Sequence, residues 1–141
     1  MFAEFEYIMH NKYKDKVPVT LDELCNTYYE LNKTYFGKDI EVDETIKYEW
    51  MRIPHFYSSF YVYQYATGIS AAFAIAYDIL NGKENAKEKY IDFLKSGGSK
   101  FPLDTLKEVG VDMTKKEPIE KATMIFDDKV KQLKDLLKDD E

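Results

Sequence analysis

The stretch PHFYSSFYVYQYATGISAAFAIAYDIL, residues 54–80, decides the fold class, because it carries no acidic or basic side chain between His55 and Asp78. A helix that is apolar or aromatic on every side is typical of the interior of a helical domain. Pro54 suits the first turn of such a helix. The sequence therefore predicts one long, buried helix from Pro54 to about Leu80 at the centre of an all-α domain.

Helical patterns on both sides of this stretch support the all-α class. The chain opens in an amphipathic helix that ends before Val17 and has no N-cap residue, as if its first turns were missing. Thr20 and Glu23 form a capping box that begins a second helix, which runs up to Gly37. Further helices are predicted over residues 44–51, 83–94, 102–109 and 119–137, and no useful β-alternation is present.

Length and composition indicate one soluble domain. With 141 residues, of which 45% are hydrophobic and 33% charged, the chain is long enough to form a hydrophobic core. We expect a single helical domain over residues 1–141, with a charged and solvated tail from about residue 135. Because Cys25 is the only cysteine, a disulfide within the chain is excluded, and a cytoplasmic location is expected.

Charge and hydropathy argue against two classes of partner. The formal net charge is -6 and no basic stripe is present, whereas proteins that bind nucleic acids neutralise phosphates with lysine and arginine. Residues 59–77 are uncharged and about long enough to cross a bilayer, but they include the polar Gln64, Thr67 and Ser70. We therefore expect neither a nucleic acid nor a membrane as a partner.

The two histidines, His10 and His55, lie far apart in the sequence, and no HExxH motif is present. We therefore predict no metal ligand in the chain, and no cofactor is expected in it. His10 stands beside Asn11 and Lys12 near the end of a helix, where a histidine is expected on the surface.

The aromatic first half of residues 54–80 allows two interpretations. On a helix, Tyr57, Tyr61 and Tyr65 form one continuous line. Such tyrosines either satisfy one another in a core, or they form a row of hydroxyls next to His55 that faces a developing oxyanion. The residues expected in the core are Trp50, Phe56, Phe60 and Phe73.

The string WMRIPHFYSSFYVYQYATG, from Trp50, resembles the C-terminal signature of the oligoendopeptidase F family, zinc metallopeptidases of the thimet-like M3 group. Further strings resemble the family in the same order, so that the resemblance covers essentially the whole chain. They are MFAEFE at residues 1–6, YYELNKTYFG at 28–37, FLKSGGS at 93–99 and GVDMT at 110–114.

The resemblance implies that the chain is the C-terminal part of a large, all-helical peptidase that hydrolyses short peptides. In that family an HExxH motif and a downstream glutamate hold the zinc ion, and neither can be placed in this chain. A missing N-terminal part of the peptidase would then supply the zinc site. The chain alone is expected to hold no zinc and to be inactive.

The resemblance also implies roles for individual side chains. His55 matches the family's histidine by its position before the aromatic run, and Tyr63 is the preferred match for the tyrosine. These two predicted catalytic residues would hydrogen-bond the substrate carbonyl as it becomes tetrahedral. Tyr57, Tyr61 and Tyr65 are predicted to bind the substrate, and they could share or take the role of Tyr63.

Two further hypotheses stay open. The chain could be a non-catalytic helical module that keeps the sequence of a peptidase but binds a peptide or a protein partner. Truncation would also expose apolar surface, which a soluble monomer rarely tolerates. We therefore expect the isolated chain to form a homodimer through the helix face of Phe2, Phe5 and Met9.

Overall fold

The computed structural model describes residues 1–138, and all their regular secondary structure is helical, which confirms the all-α class. None of the described helices is long and apolar enough to cross a membrane. Of the predicted charged tail, residues 139–141 lie outside the described part. The elements are α1 Phe2–Lys14, α2 Leu21–Phe36, the 3₁₀ helices Glu44–Arg52 and Pro54–Tyr57, α3 Tyr63–Leu80, α4 Ala86–Ser96, α5 Pro102–Val109 and α6 Glu117–Lys138.

Local signals in the sequence account for the ends of α2. The Thr20 side chain accepts a hydrogen bond of 3.2 Å from the backbone N–H of Glu23, as the capping box predicts. At the other end, Gly37 has a φ of +76°, and its N–H donates to the carbonyl of Lys33. A positive φ is available to glycine without steric cost, so the helix stops there.

The predicted helix from Pro54 to Leu80 is wrong in its first part. The chain forms a 3₁₀ helix over Pro54–Tyr57, leaves helical geometry, and begins α3 only at Tyr63. Phe60 lies in this break with a φ of +55°, which a residue in a right-handed helix cannot adopt. An uninterrupted apolar pattern contains no signal for such a break, because it carries no information on the direction of the backbone.

The predicted burial of this segment on all sides is also wrong. Several large side chains of α3 are exposed, and Leu80, at its end, is 84% exposed. Phe60 and Phe73, both expected in the core, are more than two-fifths exposed as well. An aromatic residue is therefore no reliable sign of a core position in this segment.

Backbone contacts divide the chain into two compact units, Met1–Gln64 and Tyr65–Glu141, with the boundary inside α3. The single domain expected over residues 1–141 stays a prediction. The first unit has an aromatic core in which Phe5 packs edge-on against Tyr28, with ring centroids 5.1 Å apart. Trp50 and Phe56 pack against this core, as predicted.

The helix face expected to form a dimer is occupied within the first unit. Phe5 is buried, and Phe2 and Met9 pack against the core around it. The predicted interface is therefore wrong for Phe5, which is covered by α2 and the 3₁₀ segment of its own chain, while Phe2 and Met9 are partly buried. The homodimer itself stays a prediction.

The second unit has a small-residue core. Ala71, Ala74 and Ile75 of α3 cluster with Val109 and Val111 at the end of α5. These small side chains let neighbouring helices approach closely.

A buried carboxylate lies beside this core. Asp78 is 7% exposed and accepts hydrogen bonds from the ammonium groups of Lys83 and Lys121. Burial by itself would raise the pKa of Asp78, but these two hydrogen bonds outweigh it and lower the pKa.

Candidate functional site

His55 and Tyr61 come together at the turn between the second 3₁₀ helix and α3. Their rings stack, with centroids 5.5 Å apart and planes inclined by 18°. His55 lies in the 3₁₀ helix, while Tyr61 follows the break at Phe60. The break in helical geometry at Phe60 therefore allows the two rings to stack, which a continuous helix would not do.

Tyr57 is 75% exposed, and its hydroxyl has a partner within the chain. It donates a hydrogen bond of 3.1 Å to the backbone carbonyl of Met51. A tyrosine hydroxyl has a single proton to donate. While this bond is formed, Tyr57 links the two 3₁₀ helices and has no proton for a substrate.

Tyr63 is the first residue of α3 and is 49% exposed. Tyr65 follows two positions later in α3. The continuous line predicted for Tyr57, Tyr61 and Tyr65 is wrong, because only Tyr65 of the three lies in an α-helix. The role of Tyr65 in substrate binding stays a prediction.

Glu6 is a residue of this region that the sequence analysis missed. Its side chain is buried, and Oε1 accepts a hydrogen bond of 2.6 Å from the backbone N–H of Phe60. His10, one helical turn along α1, packs against the Phe60 ring, with ring centroids 4.2 Å apart and planes inclined by 31°. Its Nε2 lies 3.9 Å from Glu6 Oε1. The His10 side chain is 35% exposed, so it lies at the surface, as expected. Its contact with Phe60 was not predicted.

A cavity of about 150 Å³ lies behind this turn, within the first unit. The Trp50 indole N–H is buried and has no hydrogen-bond partner in the described part of the chain. The lining is mostly apolar, with Glu6, His10 and Tyr57 as its titratable members. It consists of Phe5, Glu6, Met9, His10, Leu24, Trp50, Phe56 and Tyr57.

The side chains at this site do not form a metal centre. In residues 1–138, no group of three or more histidine, cysteine, aspartate or glutamate side chains is placed to hold a metal ion. Glu6 and His10 form only a pair, whereas catalytic zinc takes about three protein ligands. The donor set of residues 1–138 therefore does not fit a zinc ion.

A comparison with known protein families identifies the chain. The model of peptidase family M3 matches residues 1–125. The chain belongs to peptidase family M3. This membership confirms the resemblance of the sequence strings, including the one that contains His55 and the tyrosines.

Individual relatives within family M3 agree with this assignment. The chain is 52% identical over 137 residues to Oligopeptidase PepF of Bacillus subtilis, covering 97% of this chain and 20% of the relative. It is also 52% identical over 134 residues to an oligoendopeptidase F homolog of Borreliella burgdorferi, covering 95% and 23%. The crystal structure of oligoendopeptidase-F from Enterococcus faecium superposes with a TM-score of 0.91 at 45% identity, covering 97% of this chain and 26% of that one. The chain thus spans about a fifth to a quarter of the length of these relatives.

Proposed function

We propose that this chain forms the histidine and tyrosine side of the active-site cleft in a peptidase of the oligoendopeptidase F type that hydrolyses short peptides. The observation that supports this proposal is the His55–Tyr61 stack, followed by the half-exposed Tyr63 at the start of α3. Hydrogen-bond donors aimed at a developing oxyanion lower the barrier to attack on a peptide carbonyl. Removing one such donor typically lowers the rate by about 10²–10³.

Among the tyrosines, Tyr63 is the preferred oxyanion donor. The Tyr57 proton is engaged with the Met51 carbonyl, and the Tyr61 ring is held against His55. Tyr63 lies where the helix begins, and about half of its surface is exposed. In this proposal His55 and Tyr63 contact the reacting carbonyl, and Tyr57, Tyr61 and Tyr65 line the path of the peptide.

The zinc ion of such a peptidase belongs, in this proposal, to an N-terminal part of the protein that is absent from this chain. The absence of a suitable ligand group in residues 1–138 supports this division. The chain alone then holds no zinc and hydrolyses no peptide. A cytoplasmic location is part of the same proposal and rests on the single, unpaired Cys25.

The decisive experiment is a chimera. This chain replaces the matching segment of Oligopeptidase PepF from Bacillus subtilis, and cleavage of a fluorogenic peptide is measured for the chimera, the parent enzyme and the chain alone. We expect the chimera to cleave the peptide and the isolated chain to be inactive. A folded, zinc-loaded chimera without activity would overturn the proposal and favour a non-catalytic binding module.

Elemental analysis separately tests the proposal that the zinc ligands lie outside this chain. We expect less than one zinc per molecule in the isolated chain after dialysis, and one or more in the chimera. One tightly held zinc ion per isolated chain would contradict this assignment.

A further inference from the structure

We propose that Glu6 is a positioning residue, whose buried carboxylate holds the turn at Phe60 and thereby sets the geometry of His55, Tyr61 and Tyr63. The structural part of this proposal stands on contacts within the first unit. Its kinetic part rests on the proposed function, because it concerns the same site. Glu6 lies far from these residues in the sequence, and its hydrogen bond to Phe60 joins positions 54 residues apart.

The backbone at Phe60 needs an external restraint. Its φ of +55° lies in the left-handed region, where a bulky residue is rare. Such a conformation persists only where the surrounding structure holds it. In residues 1–138, Lys16 and Asn85 are the other residues besides glycine with positive φ, and Phe60 alone of the three is aromatic.

The Glu6 carboxylate supplies this restraint directly. Its Oε1 accepts a hydrogen bond from the Phe60 N–H, with the two atoms 2.6 Å apart. A buried carboxylate is costly unless it is hydrogen-bonded, so Glu6 and the Phe60 amide depend on one another. Without Glu6, the amide would lose this acceptor.

His10 contacts the side chain of Phe60. The imidazole packs at a tilt against the Phe60 ring, with ring centroids 4.2 Å apart, and its Nε2 lies 3.9 Å from Glu6 Oε1. Glu6 and His10 are neighbours on one face of α1. The backbone and the ring of Phe60 are thus both fixed by one turn of α1.

The turn transmits this restraint to the candidate site. Residues before Phe60 include His55, and residues after it include Tyr61 and Tyr63. A change in the φ of Phe60 therefore rotates the two tyrosines relative to the histidine. The Tyr61 N–H donates to the Ser58 carbonyl at 3.2 Å, so the turn is also closed locally.

Amide hydrogen exchange of the 141-residue chain tests the structural part. We expect Glu6→Ala to reduce the protection of the Phe60 amide at least tenfold and to shift the ring signals of His55 and Tyr61. Glu6→Gln should retain most of the protection, since its amide oxygen still accepts a hydrogen bond. The matched control is Glu4→Ala, which removes an exposed glutamate from the same helix. Unchanged Phe60 protection in a folded Glu6→Ala chain would overturn the proposal.

Kinetics in the Bacillus subtilis chimera test the positioning role. We expect Glu6→Ala to lower kcat by about 10- to 100-fold while KM changes less than about threefold, because misplacement of a catalytic group by about 1 Å can cost about 10² in rate. Glu6→Gln should restore most of kcat. A merely structural residue would lower the melting temperature and the active fraction, but not kcat per folded molecule.

A second variant keeps the test valid if Glu6→Ala folds poorly. Glycine adopts positive φ without steric cost, so the loss of kcat caused by Glu6→Ala should be smaller in a Phe60→Gly background than in the wild type. Equal losses in both backgrounds would contradict a role through Phe60. If the unmodified chimera is inactive, the proposed function fails, and the exchange experiment alone decides the role of Glu6.

Discussion

The Tyr28 hydroxyl donates a hydrogen bond of 2.8 Å to Glu49 Oε2 and so joins α2 to the first 3₁₀ helix. Tyr28 is fully buried, and the other oxygen of Glu49 pairs with Arg52. Burial first, and then the hydrogen bond to Glu49, raise the pKa of the Tyr28 hydroxyl well above its ordinary value. This contact anchors the 3₁₀ segment that leads into the candidate site.

Tyr28→Phe should lower the free energy of unfolding by about 1.5–3 kcal/mol, because a hydrogen bond to a charged group in a buried place is lost. Tyr35→Phe is the matched control, since its hydroxyl donates to Glu4 at 2.7 Å in an exposed place. Urea titration of both variants at neutral pH measures the difference. Equal losses in the two variants would show that burial of the Tyr28–Glu49 pair does not increase its contribution to the free energy of unfolding.

The raised pKa of Tyr28 predicts a loss of stability in alkali. The folded state keeps the hydroxyl protonated, so its contribution is complete below the unfolded pKa of about 10 and declines as the pH rises above it toward the folded pKa. Urea titrations between pH 8 and 11 should show a steeper decline for the wild type than for Tyr28→Phe. If the stability of the two proteins declined equally with pH, the raised pKa of Tyr28 would be contradicted.

Lys121→Met should destabilise the second unit by about 1–3 kcal/mol, because it leaves the buried Asp78 carboxylate with one ammonium partner. The lowered pKa of Asp78 also predicts how stability changes with pH. Its contribution is complete above the unfolded pKa of about 3.9 and is lost as the pH falls through the folded pKa. Lys116→Met, which breaks an exposed pair with Glu120, is the control and should destabilise the protein much less. Chemical denaturation at pH 3 and pH 7 measures both effects.

Tyr63→Phe in the Bacillus subtilis chimera should lower kcat by about 10²–10³, with KM little changed, because an oxyanion donor acts mainly in the transition state. Tyr57→Phe is the comparison variant, since its hydroxyl is engaged with Met51, and its effect on kcat should be smaller. Steady-state kinetics on a short peptide decide between them. A wild-type kcat in Tyr63→Phe would move the role to another tyrosine.

The isolated chain should form a homodimer, although not through the face of Phe5. Ile119, Phe126 and Leu133 of α6 are exposed and spaced at heptad intervals, which places them on one face of the helix. We expect Phe126→Glu to return the chain to a monomer in sedimentation at micromolar concentration. Phe101→Glu, at another exposed phenylalanine, should not do so. A wild-type chain that is strictly monomeric would exclude the dimer.

The sequence alone was sufficient for the fold class and for most helices. The ends of α2 follow from Thr20 and Gly37, whose effects are confined to their own turn of backbone. The family resemblance was equally local, since it rests on strings of consecutive residues. His55 and the neighbouring tyrosines could be proposed from those strings without knowledge of their contacts.

Only the tertiary structure decided the shape of the candidate site. The break at Phe60 interrupts an apolar pattern that predicts a continuous helix. The Phe60 N–H donates a hydrogen bond to Glu6, which lies on α1, far away in the sequence. Likewise, the burial of Asp78 depends on two lysines, one of them on α6. Periodicity and capping act over one or two helical turns, whereas the direction of the chain at Phe60 depends on a carboxylate that folding alone brings within hydrogen-bonding distance.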